Sequence, residues 1–192
     1  MLKNTTKLIE AGLTNKVFTD SDIKRVFGGT QASRYALVNK ALKKEELIRL
    51  KRGVYLLALK FRSQPASQFY IACHLNPHSY LSFENALSYH GWIPERVALV
   101  SSVIHHGRSK SFKTLLGEFT YTFIPTQAYE FLSGVERIAN EEQPFLMAKP
   151  LRALGDLVYE RKIDWQGIDF LSDSLEYLDP FRFSSSFRAQ PQ

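Results

Sequence analysis

The apolar residues of the first thirty positions recur at helical spacing between residues that begin or end helices. Asn4 is a suitable cap for a short helix over residues 4–12. A second helix is predicted after the polar cluster that starts at Thr19, and Gly28 and Gly29 provide its stop. Two short helices are therefore expected before residue 30.

A third helix is predicted over residues 30–47, with Thr30 as its cap. Tyr35, Val38 and Leu42 fall on one side of this helix, which we expect to be buried. At about 100° per residue, the opposite side is small and polar at its start and cationic further along. The residues of this side are Gln31, Ser33, Arg34, Ala36, Asn39, Lys40 and Lys43.

The pattern changes to strand-like alternation after the third helix. Ile48 and Leu50 are expected on one face, with Arg49 and Lys51 on the other, and Gly53 allows a reversal into a second apolar run. Three helices followed by a two-stranded hairpin is the order of a winged helix-turn-helix. We therefore expect such a module over residues 1–62.

Residues 63–192 are expected to form a second domain of mixed α+β class. A polar segment with Pro65 marks the boundary. The apolar patterns beyond it predict helices at 68–75, 82–91, 126–138 and 149–162, and strands at 97–104 and 117–125. Because these elements do not alternate as regular βαβ units, the overall fold class is predicted to be α+β.

Positive charge is concentrated in the first third of the chain. Residues 1–60 contain thirteen Lys and Arg against five Asp and Glu, whereas residues 61–192 contain twelve against fourteen. Such asymmetry favours a polyanionic partner for the N-terminal module, and double-stranded DNA is the expected one. A solvated basic surface without a partner is the alternative.

In a winged helix-turn-helix, the second helix of the turn motif lies in the major groove and the hairpin lies along the phosphate backbone or minor groove. We therefore expect the third helix and the hairpin to supply the DNA contacts, the hairpin cations binding phosphates. The candidate DNA-binding residues are Thr30, Gln31, Ser33, Arg34, Asn39, Lys40, Lys43, Arg49, Lys51 and Arg52.

Composition narrows the class of protein further. The chain has 192 residues, 44% of them hydrophobic, and a single cysteine, Cys73, which cannot form an internal disulfide. No export signal or membrane span is visible, so we expect a cytoplasmic protein without membrane contact. No cofactor is implied.

Three segments together resemble the AbiEi-type antitoxins of bacterial type IV abortive-infection toxin–antitoxin systems. The hairpin segment ELIRLKRGVYLLA is similar to the family's wing. The segment IACHLNPHSYLSFENALSYHGW is similar to a helix followed by Ser, Ala-Leu and His-Gly, and MAKPLRALGDLVYERK resembles a later helix. The matching positions outside the wing are Ser82, Ala86, Leu87, His90, Gly91, Leu154, Asp156 and Leu157. One departure is Glu45-Glu46, which stands where the resemblance leads us to expect a glycine.

The resemblance implies an autorepressor that binds its own operator and counteracts a nucleotidyltransferase-type toxin. A stable complex with the toxin is not required, and a monomer or weak dimer on DNA is expected. The C-terminal residues that we select as candidates for neutralisation are Arg108, Lys110, Lys113, Arg152 and Arg161.

Two groups of residues are of the types found in metal or catalytic sites, but their spacing does not favour such a site. His105 and His106 follow a predicted strand, where adjacent side chains point to opposite faces and rarely bind one metal. Asp156, Glu160 and Lys162 lie on a predicted helix, where they form a solvated charge row. No metal site or catalytic residue is assigned, and we expect no enzyme.

Two alternatives remain open on the sequence alone. The first is a stand-alone winged-helix regulator whose C-terminal domain senses a ligand or dimerises. The second, less favoured, is an enzyme that processes nucleic acid, with the basic N-terminal module as its substrate anchor.

Overall fold

The computed structural model describes residues 1–94, 97–139 and 143–162. Contacts group Met1–Leu157 into one compact unit, and the chain from Val158 onwards falls outside it. Within the described residues the fold is mixed α+β, with six α-helices and two sheets. The part of the expected C-terminal domain from residue 163 onwards lies outside the described residues. None of the described helices has the length and apolar character needed to cross a membrane.

Three helices and a three-stranded sheet form the N-terminal part. The helices are α1 (Lys3–Glu10), α2 (Asp20–Phe27) and α3 (Gln31–Lys43), and the strands are β1 (Phe18–Thr19), β2 (Leu47–Lys51) and β3 (Val54–Leu57). The strand order is β1-β3-β2, and both pairings are antiparallel. The three predicted helices and the predicted hairpin are present, but α3 ends at Lys43 and not at residue 47, because Glu45 has a positive φ and Leu47 begins β2.

Helix caps account for the boundaries of α2 and α3. Thr19 and Asp22 form a reciprocal capping box at the start of α2, and Gly28 ends that helix with φ +61°. At the start of α3, the Thr30 hydroxyl accepts a hydrogen bond from the Ser33 N–H. Both predicted threonine caps are confirmed.

The predicted Asn4 cap is wrong. Helix α1 begins at Lys3, and its N-cap residue is Leu2, whose side chain cannot accept a hydrogen bond. The buried Glu46, from the connection between α3 and β2, supplies the acceptor instead. Its carboxylate accepts hydrogen bonds from the Leu2 N–H and the Thr5 hydroxyl. A residue 44 positions away in sequence therefore holds the first helix turn.

The remaining described chain builds a six-stranded sheet with helices packed on it. The strand order is β6-β7-β5-β4-β9-β8, which mixes parallel and antiparallel pairs. The elements are α4 (Gln68–Leu75), β4 (Ser79–Leu81), α5 (Phe83–Tyr89), β5 (Val100–Ile104), β6 (Lys110–Thr114), β7 (Gly117–Phe123), β8 (Val135–Ile138), β9 (Phe145–Ala148) and α6 (Pro150–Arg161).

One predicted helix in this part is wrong. Residues 126–138 form turns that lead into β8, which pairs with β9 through Val135 and Ala148. Gly134 has φ +70°, a conformation that interrupts a helix, and Phe131 is buried in the core before it. The apolar spacing of this segment therefore comes from one buried aromatic ring and a strand, not from a helical face.

The hydrophobic core crosses the boundary expected at residue 62. Val17, Leu50, Val54 and Leu56 belong to the same buried cluster as the helices and strands of the six-stranded sheet. A second buried cluster joins α1, α2 and α3 to the other side of the small sheet, through Leu8, Phe18, Ile23, Val38, Ala41, Leu47, Tyr55 and Leu57. The hairpin thus has apolar contacts on both of its faces.

Candidate nucleic-acid interface

A shallow groove lies between α3 and β2. It has a volume of about 460 Å³ and is lined by Asn39, Leu42, Lys43 and Arg49. The Arg49 guanidinium donates a hydrogen bond of 3.2 Å to Asn39 Oδ1, so the helix and the strand share this wall. Three of the four lining residues are predicted DNA-binding residues.

The exposed side of α3 combines small residues with cations. Ala36 is exposed between the exposed residues Ser33 and Lys40, and the exposed Lys43 follows one turn after Lys40. Small side chains leave the helix backbone approachable, and the lysines place positive charge along the same side. Gln31 is exposed at the start of this side.

The exposure of Tyr35 contradicts the sequence prediction. This residue was expected on the buried stripe with Val38 and Leu42, but 64% of its surface is exposed. Of that stripe, Val38 is buried and Leu42 partly buried. Tyr35 is therefore a candidate interface residue that the sequence analysis missed, since helical spacing alone does not show where an apolar stripe ends.

Two predicted DNA-contact residues near the start of α3 form hydrogen bonds that stabilise the start of this helix and the turn before it. The Ser33 hydroxyl donates to the Thr30 carbonyl oxygen at 2.9 Å. Arg34 turns back and donates to the carbonyl oxygens of Gly28 and Gly29, which connect α2 to α3. The Arg34 guanidinium therefore stabilises the turn between the two helices in this conformation.

At the hairpin tip, Arg52 is exposed and Gly53 has φ +75°. Asp20 packs against this tip: its N–H donates to the Gly53 carbonyl oxygen, and its carboxylate would lie 2.9 Å from a Cβ at position 53. Glycine is required here both by its backbone conformation and by this close approach.

Lys51, by contrast, faces the second half of the chain. A bulge between Arg49 and Lys51 breaks the alternation that was expected on β2. The Lys51 ammonium donates to the carbonyl oxygen of Leu75, the last residue of α4, and lies 5.6 Å from the centre of the Phe112 ring. Burial lowers its pKa, and so does the nearby charge of Lys110.

The two glutamates at the junction of α3 and β2 have separate roles. Glu45 has φ +51°, the left-handed conformation that a glycine would adopt without strain. Glu46 is 6% exposed. Burial acts to raise the pKa of Glu46, but hydrogen bonds from Thr5 and Leu2 and the N-terminal ammonium lower it overall. Of these two glutamates, Glu45 is exposed beside the candidate interface and Glu46 is buried.

The candidate neutralisation residues lie in different environments. Arg108 and Lys110 are exposed at the start of β6, and Lys113 forms an ion pair with Glu118 on β7. Arg161 is exposed at the end of α6, beyond the compact unit.

Arg152 belongs to a buried polar network. Its Nε donates to Asp156 at 3.0 Å, and its Nη2 donates to the Tyr80 hydroxyl at 2.6 Å. The Tyr80 and Ser82 hydroxyls in turn donate to Asp156 at 2.9 and 2.6 Å. Arg152 also donates to the Ser133 carbonyl oxygen, so it ties β4, α6 and the turn before β8 together.

The prediction that Asp156 lies in a solvated charge row is wrong. Only 5% of its surface is exposed, and its carboxylate contacts the hydroxyls of Tyr80 on β4 and of Ser82, which precedes α5. Burial raises the pKa of Asp156, against the opposing effect of Arg152 and the hydroxyl donors. Ser82 precedes α5 as predicted, but its hydroxyl serves Asp156 and does not cap the helix.

The histidine pair differs from its predicted arrangement. Strand β5 ends at Ile104, and the rings of His105 and His106 lie with their centres 3.7 Å apart at an interplanar angle of 46°. The centre of the Phe131 ring lies 4.0 Å from that of His105. Within the described residues, no group of three or more His, Cys, Asp or Glu is placed to hold a metal ion.

A comparison of the chain with protein-family models finds no match, and a comparison with curated proteins finds none.

Proposed function

We propose that residues 1–62 act as a winged helix-turn-helix that binds double-stranded DNA. In this proposal α3 enters the major groove, and the β2–β3 hairpin follows the neighbouring backbone. The observation that carries it is the groove between α3 and β2, where Asn39, Lys43 and Arg49 meet. Lys40 and Arg52 extend the positive charge on either side.

The proposed contacts divide into two kinds. Lys40, Lys43, Arg49 and Arg52 are suited to phosphate oxygens, because they are exposed cations. The exposed residues near the start of α3, with Asn39, are suited to base edges. These are Thr30, Gln31, Ser33 and Tyr35, while Arg34 would first have to leave the carbonyl oxygens of Gly28 and Gly29.

We propose further that the protein is a bacterial, cytoplasmic autorepressor and antitoxin that counteracts a nucleotidyltransferase-type toxin. The order of the three resembling segments supports this role. Ser82 from the second segment and Asp156 from the third are hydrogen-bonded at 2.6 Å, and His90 contacts the Ala148 carbonyl oxygen at 3.1 Å. The resembling positions therefore behave as parts of one structural unit, and we expect neutralisation to use exposed residues around it.

Fluorescence anisotropy with two labelled duplexes, the promoter of the protein's own operon and a scrambled one, tests DNA binding. We expect the double variant K43A/R49A to weaken binding to both duplexes. The slope of log K against log salt should fall by about 1.8, or 0.9 for each lost phosphate contact. Lys60→Ala, an exposed cation beyond the other end of β3, is the matched single-charge control.

Asn39→Ala and Tyr35→Ala address sequence preference in the same assay. Each should reduce the ratio of promoter to scrambled affinity, since a good base contact contributes about 1–3 kcal/mol of discrimination. Absence of DNA binding by the wild type at about 50 mM salt, a low ionic strength for such contacts, would overturn the proposal. A loss of affinity in Lys60→Ala as large as that in K43A/R49A would show that the groove is not part of the DNA-binding surface.

Co-expression with the product of the neighbouring gene tests the antitoxin role. The full chain should relieve growth arrest by that product, and K43A/R49A should still do so, because neutralisation is assigned to the second half. The full chain is needed because the core crosses residue 62. A stand-alone regulator would give no relief with either form.

A further inference from the structure

Strand β6 of the six-stranded sheet lies beside the hairpin of the small sheet. The side chains of Lys110 and Phe112 share one face of β6, since residues two apart in a strand point the same way. Phe112 packs edge-on against Tyr121 of β7, with the ring centres 5.7 Å apart. This aromatic pair forms the floor on which two ammonium groups sit.

The two ammonium groups come from different sheets. Lys51 of the hairpin lies 5.6 Å from the centre of the Phe112 ring, and Lys110 lies 5.9 Å from that of Tyr121. Lys110 is close enough to lower the pKa of Lys51. Like charges repel at this range, so the arrangement is costly unless another contact offsets it.

The partners of the two lysines differ. Lys51 donates to the carbonyl oxygen of Leu75, where a helix C-terminus favours a cation, so its position has a structural explanation. Its charge is nevertheless not neutralised by that carbonyl. Among the described residues, no carboxylate lies within ion-pair distance of Lys51 or Lys110, and Lys110 is exposed.

Lys113, on the same strand, is paired instead. It lies directly opposite Glu118 on β7 and forms an ion pair with it. The strand therefore carries one neutralised lysine on one face and one unneutralised lysine on the face that meets the hairpin.

We propose that Lys110 binds a DNA phosphate beside the hairpin, so that the six-stranded sheet extends the DNA-binding surface beyond residues 1–62. This inference rests on the proposed function. Lys51 raises the positive potential at the site. The DNA phosphate backbone that follows the hairpin cations Arg49 and Arg52 would continue past the start of β6. Lys110 thus has a role in DNA binding in addition to its candidacy for toxin neutralisation.

Salt-dependent anisotropy with a promoter duplex of about 30 base pairs, long enough for several phosphate contacts, tests this role. Lys110→Ala should lower the slope of log K against log salt by about 0.9, and Lys110→Arg should restore it. Lys113→Ala is the matched control, because it removes the same charge from the same strand and leaves the proposed site intact. Its slope should equal that of the wild type.

The outcomes separate the inference from the proposed function. Wild-type binding with equal slopes for Lys110→Ala and Lys113→Ala overturns the inference and leaves the helix and hairpin as the DNA-binding surface. Failure of Lys110→Arg to restore the slope overturns it too. No wild-type binding overturns the proposed function itself. The thermal unfolding midpoint of each variant should lie within a few degrees of the wild type, as expected for an exposed position. This control shows that a change in slope does not come from unfolding.

Discussion

The Glu46 carboxylate accepts a hydrogen bond from the Leu2 N–H at 3.0 Å, which joins the junction of α3 and β2 to the first turn of α1. The Thr5 hydroxyl donates to the same carboxylate, and the N-terminal ammonium lies 3.7 Å away. A helix whose own N-cap residue is leucine is thus capped by a distant carboxylate. The packing of α1 against α3 depends on this ionised side chain.

We predict that Glu46→Gln lowers the free energy of unfolding by about 2 kcal/mol at pH 7, because hydrogen bonds to charged groups contribute about 1.5–3 kcal/mol. The pKa of Glu46 is lowered in the folded state. Its ionisation therefore stabilises the fold above the unfolded pKa of about 4.3, and this stabilisation is lost as the pH falls through the lower folded value. The difference between wild type and variant should shrink toward pH 3.

Urea unfolding at pH 7 and at several acidic values measures this difference. Glu45→Gln is the matched control, since Glu45 is exposed and should change stability by less than about 0.5 kcal/mol. A pH-independent loss in Glu46→Gln would show that packing, not charge, holds the first turn.

The left-handed conformation of Glu45 leads to a second prediction. An L-residue at φ +51° costs about 1–2 kcal/mol that glycine avoids, whereas glycine costs about 0.5–1 kcal/mol in unfolded-chain entropy. We expect Glu45→Gly to raise the free energy of unfolding by about 0.5 kcal/mol, the difference of these effects.

Lys44→Gly provides the contrast, because Lys44 has an ordinary φ of −92°. It should destabilise by about 0.5–1 kcal/mol, since it adds the entropy cost without relieving strain. Chemical denaturation measures the free energy of unfolding of both variants. A Glu45→Gly loss equal to that of Lys44→Gly would contradict the assigned backbone conformation.

The buried network predicts a larger loss of stability. Asp156→Ala leaves the Arg152 guanidinium, whose side chain is 17% exposed, without its carboxylate. Breaking a buried ion pair in this way costs about 3–5 kcal/mol. Tyr80→Phe removes one hydroxyl that donates to Asp156, and it should cost about 1–2 kcal/mol.

Glu160→Ala, an exposed carboxylate one turn further along α6, serves as the control and should be nearly neutral. Urea unfolding curves give all three values. If Asp156→Ala costs less than Tyr80→Phe, the network does not hold the carboxylate in its ionised form.

Local sequence patterns were sufficient to predict the helices and the hairpin of the first sixty residues, but of the six strands in the large sheet they predicted only β5 and β7. Thr19, Thr30 and Gly28 act within one or two turns of the helices they bound, so their roles could be predicted from neighbouring residues. The same logic failed for residues 126–138, where the spacing was typical of a helix. There, β8 pairs with the next strand, β9, which begins seven residues after Ile138, and the apolar spacing of one segment does not show which strand it will pair with.

For the candidate interface, local sequence patterns predicted which residues share the exposed side of α3. They did not predict the conformations of the long side chains on α3 and β2. Arg49 points into the groove, whereas Lys51, two residues later, turns to the end of α4. Which cation remains exposed depends on whether a carbonyl oxygen from another element is within reach. Tyr35 illustrates the same limit, because it is exposed only where neighbouring helices fail to cover it.

From the sequence alone, three helices and a hairpin in the first sixty residues, the concentration of positive charge there and the α+β class could be predicted. These follow from capping, periodicity and composition, which act over a few residues. The capping of α1 by Glu46, the burial of Asp156 against Tyr80 and the approach of Lys51 to the Phe112 ring depend on the tertiary fold. Each of these contacts joins residues more than 40 positions apart, and it forms only when the core has brought their elements together.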